Sequence, residues 1–253
     1  MGEKIKRKDV FTYLREKNYS IYCIQDTHFT EDKEFLFRNE WGYECYFNSY
    51  KSNSRGVAVL FNNNFEFKVI KEKKDLTGNF LALDLEIEGE KLTLITIYGP
   101  NSDSPAFYDQ IEETIYDFKN DKYIVCGDFN LVLDPELDYD QSYKKINNPR
   151  ARERVLDLID NLDLVDVFRQ QHSNLKRYTW RKHSPLKQSR LDFFLVSGNL
   201  LPSIFDTNID SGYRSDHSFP KLSLKFNDFK KGKGLWKLNN SLLHDQELFK
   251  SCK

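Results

Sequence analysis

The chain repeats one local arrangement, a short apolar run that stops at acids and amides. Its fullest form is Tyr123-Ile124-Val125-Cys126-Gly127-Asp128-Phe129-Asn130. A short apolar run ended by glycine reads as a buried strand. Side chains alternate along an extended backbone, so Asp128 and Asn130 share one face and Phe129 takes the other. Gly127 removes a side chain next to the acid, so something bulky can approach the backbone there. A carboxylate and a carboxamide aimed together from a rigid strand end suit a metal–phosphate site. The same residues also suit an Asx turn that closes a strand.

The same grammar recurs along the chain. Ser20 to Ile24 reads as a strand that ends in Gln25-Asp26-Thr27-His28. Arg55 to Phe61 closes at Asn62-Asn63-Asn64, and Phe65 to Ile70 is its expected hairpin partner. Phe80 to Ile87 and Lys91 to Ile97 flank a turn at Gly89-Glu90, and the second run stops at Tyr98-Gly99-Pro100-Asn101. Leu191 to Val196 carries Asp192, and Ser215-Asp216-His217 precedes a last strand from Phe219 to Phe226. Helical spacing is predicted over Asp9 to Lys17, Glu31 to Arg38, 104–118 and Pro149 to Asn161. Asp9 is the expected N-cap of the first helix, and Pro149 suits the first turn of the last. Many strands with a few intervening helices imply an α/β chain, two packed sheets flanked by helices.

With a formal net charge of −1, the chain has no global basic footprint for nucleic acid. A local one exists. Lys176 to Arg190 holds Lys176, Arg177, Arg181, Lys182, Lys187 and Arg190 without an acid, interleaved with Tyr178, Trp180 and His183. Such a run is a solvated face or, with its aromatics, a nucleic-acid contact. Cys23, Cys45, Cys126 and Cys252 form no CxxC pair, so reduced thiols and no zinc site are expected. No segment is long and apolar enough to span a membrane, and an intracellular location is expected.

Polar groups at several strand ends could build a phosphodiester-hydrolysing site. Asp26 is a candidate ligand for Mg²⁺, which takes hard oxygens and keeps waters. His217 could take a proton from the attacking water, with Asp192 holding its tautomer. Tyr98 and Asn130 could donate hydrogen bonds to the phosphate.

On these residues the chain resembles the DNase I-like endonuclease/exonuclease/phosphatase superfamily. It resembles most the endonuclease domain of a LINE-type (non-LTR) retrotransposon polyprotein. The resemblance rests on Gln25-Asp26-Thr27-His28, Ile97-Tyr98-Gly99-Pro100, Gly127-Asp128-Phe129-Asn130, Tyr178-Thr179-Trp180, Ser189-Arg190-Leu191-Asp192 and Ser215-Asp216-His217. It implies a four-layer sandwich. It also implies nicking of DNA with Mg²⁺ (or Mn²⁺), leaving a 3′-hydroxyl that primes reverse transcription, in the nucleus. It assigns Asp26 to the metal, with Asp216 supporting the metal region. It gives Tyr98 and Asn130 to the phosphate, Asp128 to the nucleophilic water or leaving group, and Asp192 to orienting His217. Thr179, Arg177, Arg181 and Arg190 are expected at the DNA.

The expected boundaries are an endonuclease/exonuclease/phosphatase domain over 1–226 and a linker over 227–253. The linker leads toward a reverse transcriptase that this chain lacks. Two departures from the family pattern stand out. Asp26 occupies the position of a family glutamate. The first strand, which ends in an asparagine in the family, has no counterpart before Asp9. These departures motivate a second reading as a catalytically degenerate retroelement remnant. A third reading is a phosphatase or phosphodiesterase of small substrates.

Overall fold

The structure is a computed structural model that describes residues 3–140 and 147–226. Its strands are β1 (Ile21–Gln25), β2 (Cys45–Asn48), β3 (Val57–Phe61), β4 (Lys68–Lys74), β5 (Phe80–Ile87), β6 (Glu90–Tyr98), β7 (Tyr123–Asp128), β8 (Leu164–Asp166), β9 (Trp180–His183), β10 (Leu186–Ser189), β11 (Asp192–Ser197), β12 (Ile204–Asp210) and β13 (Phe219–Leu224). The helices are α1 (Lys4–Lys17), α2 (Glu34–Trp41), α3 (Pro105–Phe118), α4 (Pro149–Asn161) and α5 (Val167–Gln171).

A six-stranded sheet in the order β4-β5-β6-β7-β11-β8 forms the centre. Its middle pair, β6 and β7, is parallel, with Tyr98 opposite Asp128. Its other pairs are antiparallel. One face packs on α3 and α4 through Ile95, Val125, Phe107, Ile111 and Val155. The other meets Val57, Val59 and Phe61 of β3 through Leu83, Leu94 and Ile124. Phe11, Phe37 and Trp41 of α1 and α2 then cover the far side of β1, β2 and β3. The four layers are thus helices, sheet, sheet, helices, as the resemblance implies. Buried strands read as unbroken apolar runs because both their faces are covered.

The outer layer is in two pieces, β1-β3-β2 and β12-β13. Edge strands β1 and β13 both line one cleft of about 1880 Å³.

Two expectations are corrected. The first helix begins at Lys4 after Glu3, so Asp9 lies inside it and pairs with Arg214 rather than capping. Phe65 to Ile70 does not form a hairpin with β3. Phe65 and Phe67 stack on Phe61, and the chain crosses to the central sheet, where β4 pairs with β5. The close approach to the backbone expected at Gly127 is made by the neighbouring strand β6. At φ +127 a Cβ there would stand 2.2 Å from the Ile97 carbonyl oxygen, so the glycine permits close β6–β7 packing. The expected linker and Cys252 lie outside the described residues.

Candidate active site

Strand register places the first two carboxylates. Asp128 ends β7, Asp192 begins β11, and the two are directly opposite in the ladder. Both are buried. His217 comes from the turn before β13, and its Nδ1 lies 2.9 Å from Asp192 Oδ2. One donor atom from each of Asp128, Asp192 and His217 lies within 4.8 Å of the others.

Thr179 holds this pair from behind. Its hydroxyl accepts the Leu191 N–H at 2.9 Å and the Asp192 N–H at 3.2 Å. Its carbonyl accepts the Ser218 N–H at 2.6 Å. A single buried residue therefore fixes the backbone beside both Asp192 and His217. The expectation that Thr179 meets DNA is corrected, because its side chain is fully buried.

Electrostatics follow from this crowding. Burial and then the charge of Asp192 push the Asp128 carboxyl up to about 8. Burial alone would lower His217, but the hydrogen bond and charge of Asp192 overcome it and raise the imidazole to about 9. The imidazole is thus charged at neutral pH in the metal-free protein, and Nε2 is a donor. That differs from the expectation that His217 takes a proton from water.

Two tight turns build the rest of the site. Asp26 follows β1 with φ 51, and its Oδ1 accepts the Arg55 N–H at 3.0 Å and stands 3.0 Å from His28 Nε2. Gly56 makes this turn possible, since a Cβ there would lie 2.5 Å from the Thr27 hydroxyl. Asn130, with φ 52, donates its N–H to Asp128 Oδ1 at 2.8 Å and its Nδ2–H to the Gly99 carbonyl at 2.7 Å. The Asx turn and the functional placement are thus one feature. Tyr98 shares hydrogen bonds with Asn101 and Asn130. Its hydroxyl pKa is raised by burial and then by the charges of Asp26 and Asp128, which keeps the phenol a neutral donor.

The donors around Tyr98 are oxygens, two of them carboxylates. That chemistry fits a hard divalent metal ion. Asp26 leaves Oδ2 for such an ion, and its side chain is 45% exposed, open to the cleft. The expected support from Asp216 takes another form, for its Oδ2 accepts the Trp180 indole N–H at 3.1 Å.

The basic run divides into two environments. β9 and β10 form a hairpin whose Arg181, Lys182 and His183 are exposed, as is Arg177. Arg190 is only 1% exposed. Its guanidinium pairs with Asp138 at 2.8 Å and Asp166 at 2.5 Å, so the expected DNA contact by Arg190 is corrected.

Residues 2–217 match the endonuclease/exonuclease/phosphatase family. The chain belongs to that family. A transposon TX1 uncharacterized 149 kDa protein of Xenopus laevis is 28% identical over 96% of this chain. The chain spans only 19% of that relative's length. An exodeoxyribonuclease of Bacillus subtilis is 26% identical over 84% of this chain and 91% of its own. Among solved structures, the AP endonuclease LMAP from Leishmania major superposes with a TM-score of 0.74 at 15% identity, covering 88% of this chain and 83% of that one. A variant of the Neisseria 3′ phosphatase NExo, bound to product DNA hairpin, gives 0.70 at 21% identity, covering 88% and 95%. At those identities the likeness concerns the fold.

Within this endonuclease/exonuclease/phosphatase domain, sequence reading missed the roles of His28, Trp180 and Asp138. His28 and Trp180 were visible inside the quoted motifs. Asp138 carried no local signal, because its partners Arg169 and Arg190 are distant in the chain. No helix among the described residues is long and apolar enough to cross a membrane.

Proposed function

We propose that this domain is a metal-dependent DNA endonuclease that nicks one strand and leaves a 3′-hydroxyl. The observation that carries the reading is the Asp128–Asp192–His217 cluster, which lines one cleft together with Asp26, Tyr98 and Asn130. Asp128 holds a proton at neutral pH in the metal-free protein, and once a bound cation offsets the charge of Asp192 its freed carboxylate would take a proton from the attacking water. As the water oxygen bonds to phosphorus and the P–O3′ bond breaks, the proton taken by Asp128 passes to the leaving O3′, and the products are a 3′-hydroxyl and a 5′-phosphate. Charged His217, held by Asp192, donates Nε2–H to a phosphate oxygen, where charge develops. Tyr98 donates a further hydrogen bond, and Asn130 orients both it and Asp128. Asp26 would hold Mg²⁺ or Mn²⁺, which supplies charge neutralisation at the phosphate when bound.

The exposed Arg177 and Arg181 beside Trp180 favour DNA over a small phosphoester. Similarity to a transposon protein favours a nick that primes reverse transcription in the nucleus. On that reading residues 1–226 are the catalytic domain and 227–253 a linker toward a polymerase.

The test is incubation of supercoiled plasmid with the purified chain and Mg²⁺, followed by polymerase extension without phosphatase treatment. Extendable open circles are expected. Turnover of an inositol phosphate or nucleotide, with none on DNA, would overturn the reading in favour of a small-substrate phosphatase.

A further inference from the structure

The loop between β4 and β5, residues 75–79, is organised by one carboxylate. Asp75 Oδ1 accepts the Asn48 side-chain N–H at 2.7 Å, the Asn79 N–H at 2.8 Å and the Phe80 N–H at 2.9 Å. Its Oδ2 accepts the Thr77 N–H at 2.9 Å and the Thr77 hydroxyl. Leu76 at the tip is 97% exposed, so burial of that side chain does not fix the loop. Its shape comes instead from a short acid that accepts from the main chain just ahead of it. Asn48 is buried on β2 and also donates to the Phe80 carbonyl at 2.7 Å. Asp75 and Asn48 together tie the β1-β3-β2 sheet to the start of β5 in the central sheet.

Two arms run from this loop to the active site. The first reaches Tyr98. Buried Asn79 accepts the Tyr98 N–H on its main-chain carbonyl at 2.6 Å and donates its side-chain N–H to the Tyr98 carbonyl. Asn79 thus holds Tyr98 by both main-chain groups, and its own N–H ends on Asp75. The second arm reaches Asp26. The Gly78 carbonyl accepts the Gly56 N–H at 3.0 Å, and the Thr77 carbonyl accepts from the Arg55 guanidinium at 3.4 Å. Arg55 and Gly56 in turn accept the His28 N–H at 2.9 Å and the Thr27 N–H at 3.0 Å. The Arg55 N–H is the one that Asp26 Oδ1 accepts. Gly78 makes this approach possible, because at φ +69 a Cβ there would lie 2.6 Å from Tyr50 Cβ.

We propose that Asp75 is a positioning residue for phosphodiester hydrolysis, acting through Oδ1 to hold Tyr98 in place relative to Asp26. It touches neither the phosphate nor the cation. Tyr98 ends a strand of the central sheet, and Asp26 follows a strand of the outer one. A displacement of one against the other by about 1 Å is enough to cost about 10²-fold in rate. The 75–79 loop supplies a hydrogen-bonded route between them, and Asp75 is its hub. The catalytic part of this inference rests on the nuclease reading, whereas the placement of Tyr98 by Asp75 does not.

The experiment puts 3-fluorotyrosine in place of Tyr98 in the full chain and records its fluorine resonance without metal. Plasmid nicking in Mg²⁺ is measured beside it on the unlabelled protein. Asp75→Ala should move or split the resonance and lower nicking kcat about 10–100-fold, with KM for DNA within about twofold. Asp75→Asn keeps the oxygen that Asn48, Asn79 and Phe80 share, and should recover most of both. Asn120→Ala removes hydrogen bonds to Asp84 and Thr93 at the far end of β6 and should change neither. Asn79→Ala cuts only the arm to Tyr98 and should move the resonance too, which keeps the test decisive if Asp75→Ala does not fold. An unmoved resonance in Asp75→Ala and Asn79→Ala overturns the proposal. Equal losses in Asp75→Ala and Asp75→Asn overturn it as well, and so does an equal change in Asn120→Ala, which would mean general loosening. A wild type that does not nick DNA removes the nuclease reading and the catalytic role with it, while the resonance still decides the placement of Tyr98. A nicking wild type with an unmoved resonance in the variants removes this inference alone.

Discussion

Asp128 and Asp192 lie directly opposite one another across β7 and β11, both buried. Like charges in that relation are destabilising, and here they are also withdrawn from water. His217 relieves the conflict by binding Asp192, so the three groups share protons as a unit. The arrangement stores a need for positive charge at the place where a phosphate and its counter-ion would sit.

The pH dependence of stability follows from this cluster. Asp128 is raised from 3.8 to about 8, and His217 from 6.5 to about 9. In both cases the folded state binds more protons than the unfolded state, so stability falls as pH rises. The His217 contribution is complete below about pH 6.5 and lost through about pH 9. Melting temperatures in chelator should therefore decline from pH 6.5 to 9, with a flatter slope for His217→Ala. A rising profile in the wild type contradicts the cluster as described.

Thr179 acts through its hydroxyl on the backbone of Asp192. Thr179→Val keeps the shape but leaves two N–H groups without that acceptor, at a cost of about 1–3 kcal/mol. Nicking kcat should fall about tenfold or more with KM nearly unchanged. Thr179→Ser should restore most of it. Equal loss in Val and Ser variants would mean that bulk, not the hydroxyl, matters.

Arg190 holds Asp138 and Asp166 in the interior. Arg190→Met leaves both acids uncompensated and should lower stability by about 3–5 kcal/mol, read by urea unfolding. Arg190→Lys should recover little, because a point charge cannot reproduce the forked contacts. Lost DNA affinity with intact stability would instead restore Arg190 to the surface role its neighbours suggested.

Asp26 is the accessible carboxylate on the metal side. Asp26→Asn should raise the Mg²⁺ concentration needed for half-maximal nicking by about 10–100-fold, the range typical of disturbed metal sites. An unchanged metal requirement would remove Asp26 from that role.

Much of this was legible in the sequence. The strands ending at Asp26, Tyr98 and Asp128, and that beginning at Asp192, announce themselves, because buried parallel and central strands must be apolar along their length. Their polar ends then stand out. Burial of polar residues did not announce itself. Arg190 and Thr179 sit in a basic, aromatic run that reads as surface, and only tertiary partners distant in sequence draw them inside. β12 was missed because a half-covered strand mixes polar and apolar residues, and β2 because Cys45–Asn48 is too short a run to show alternation. β4 was assigned to the wrong sheet, since Phe65 and Phe67 pack beside Phe61 without pairing with β3.

The central claim is that the Asp192–His217 pair hydrolyses DNA with a divalent ion. It is tested most directly by the rate of open-circle formation from supercoiled plasmid in Mg²⁺, wild type against His217→Ala. The account predicts metal-dependent nicking that falls about 10²–10⁴-fold in the variant. Equal nicking by both proteins, or none by either, would contradict it.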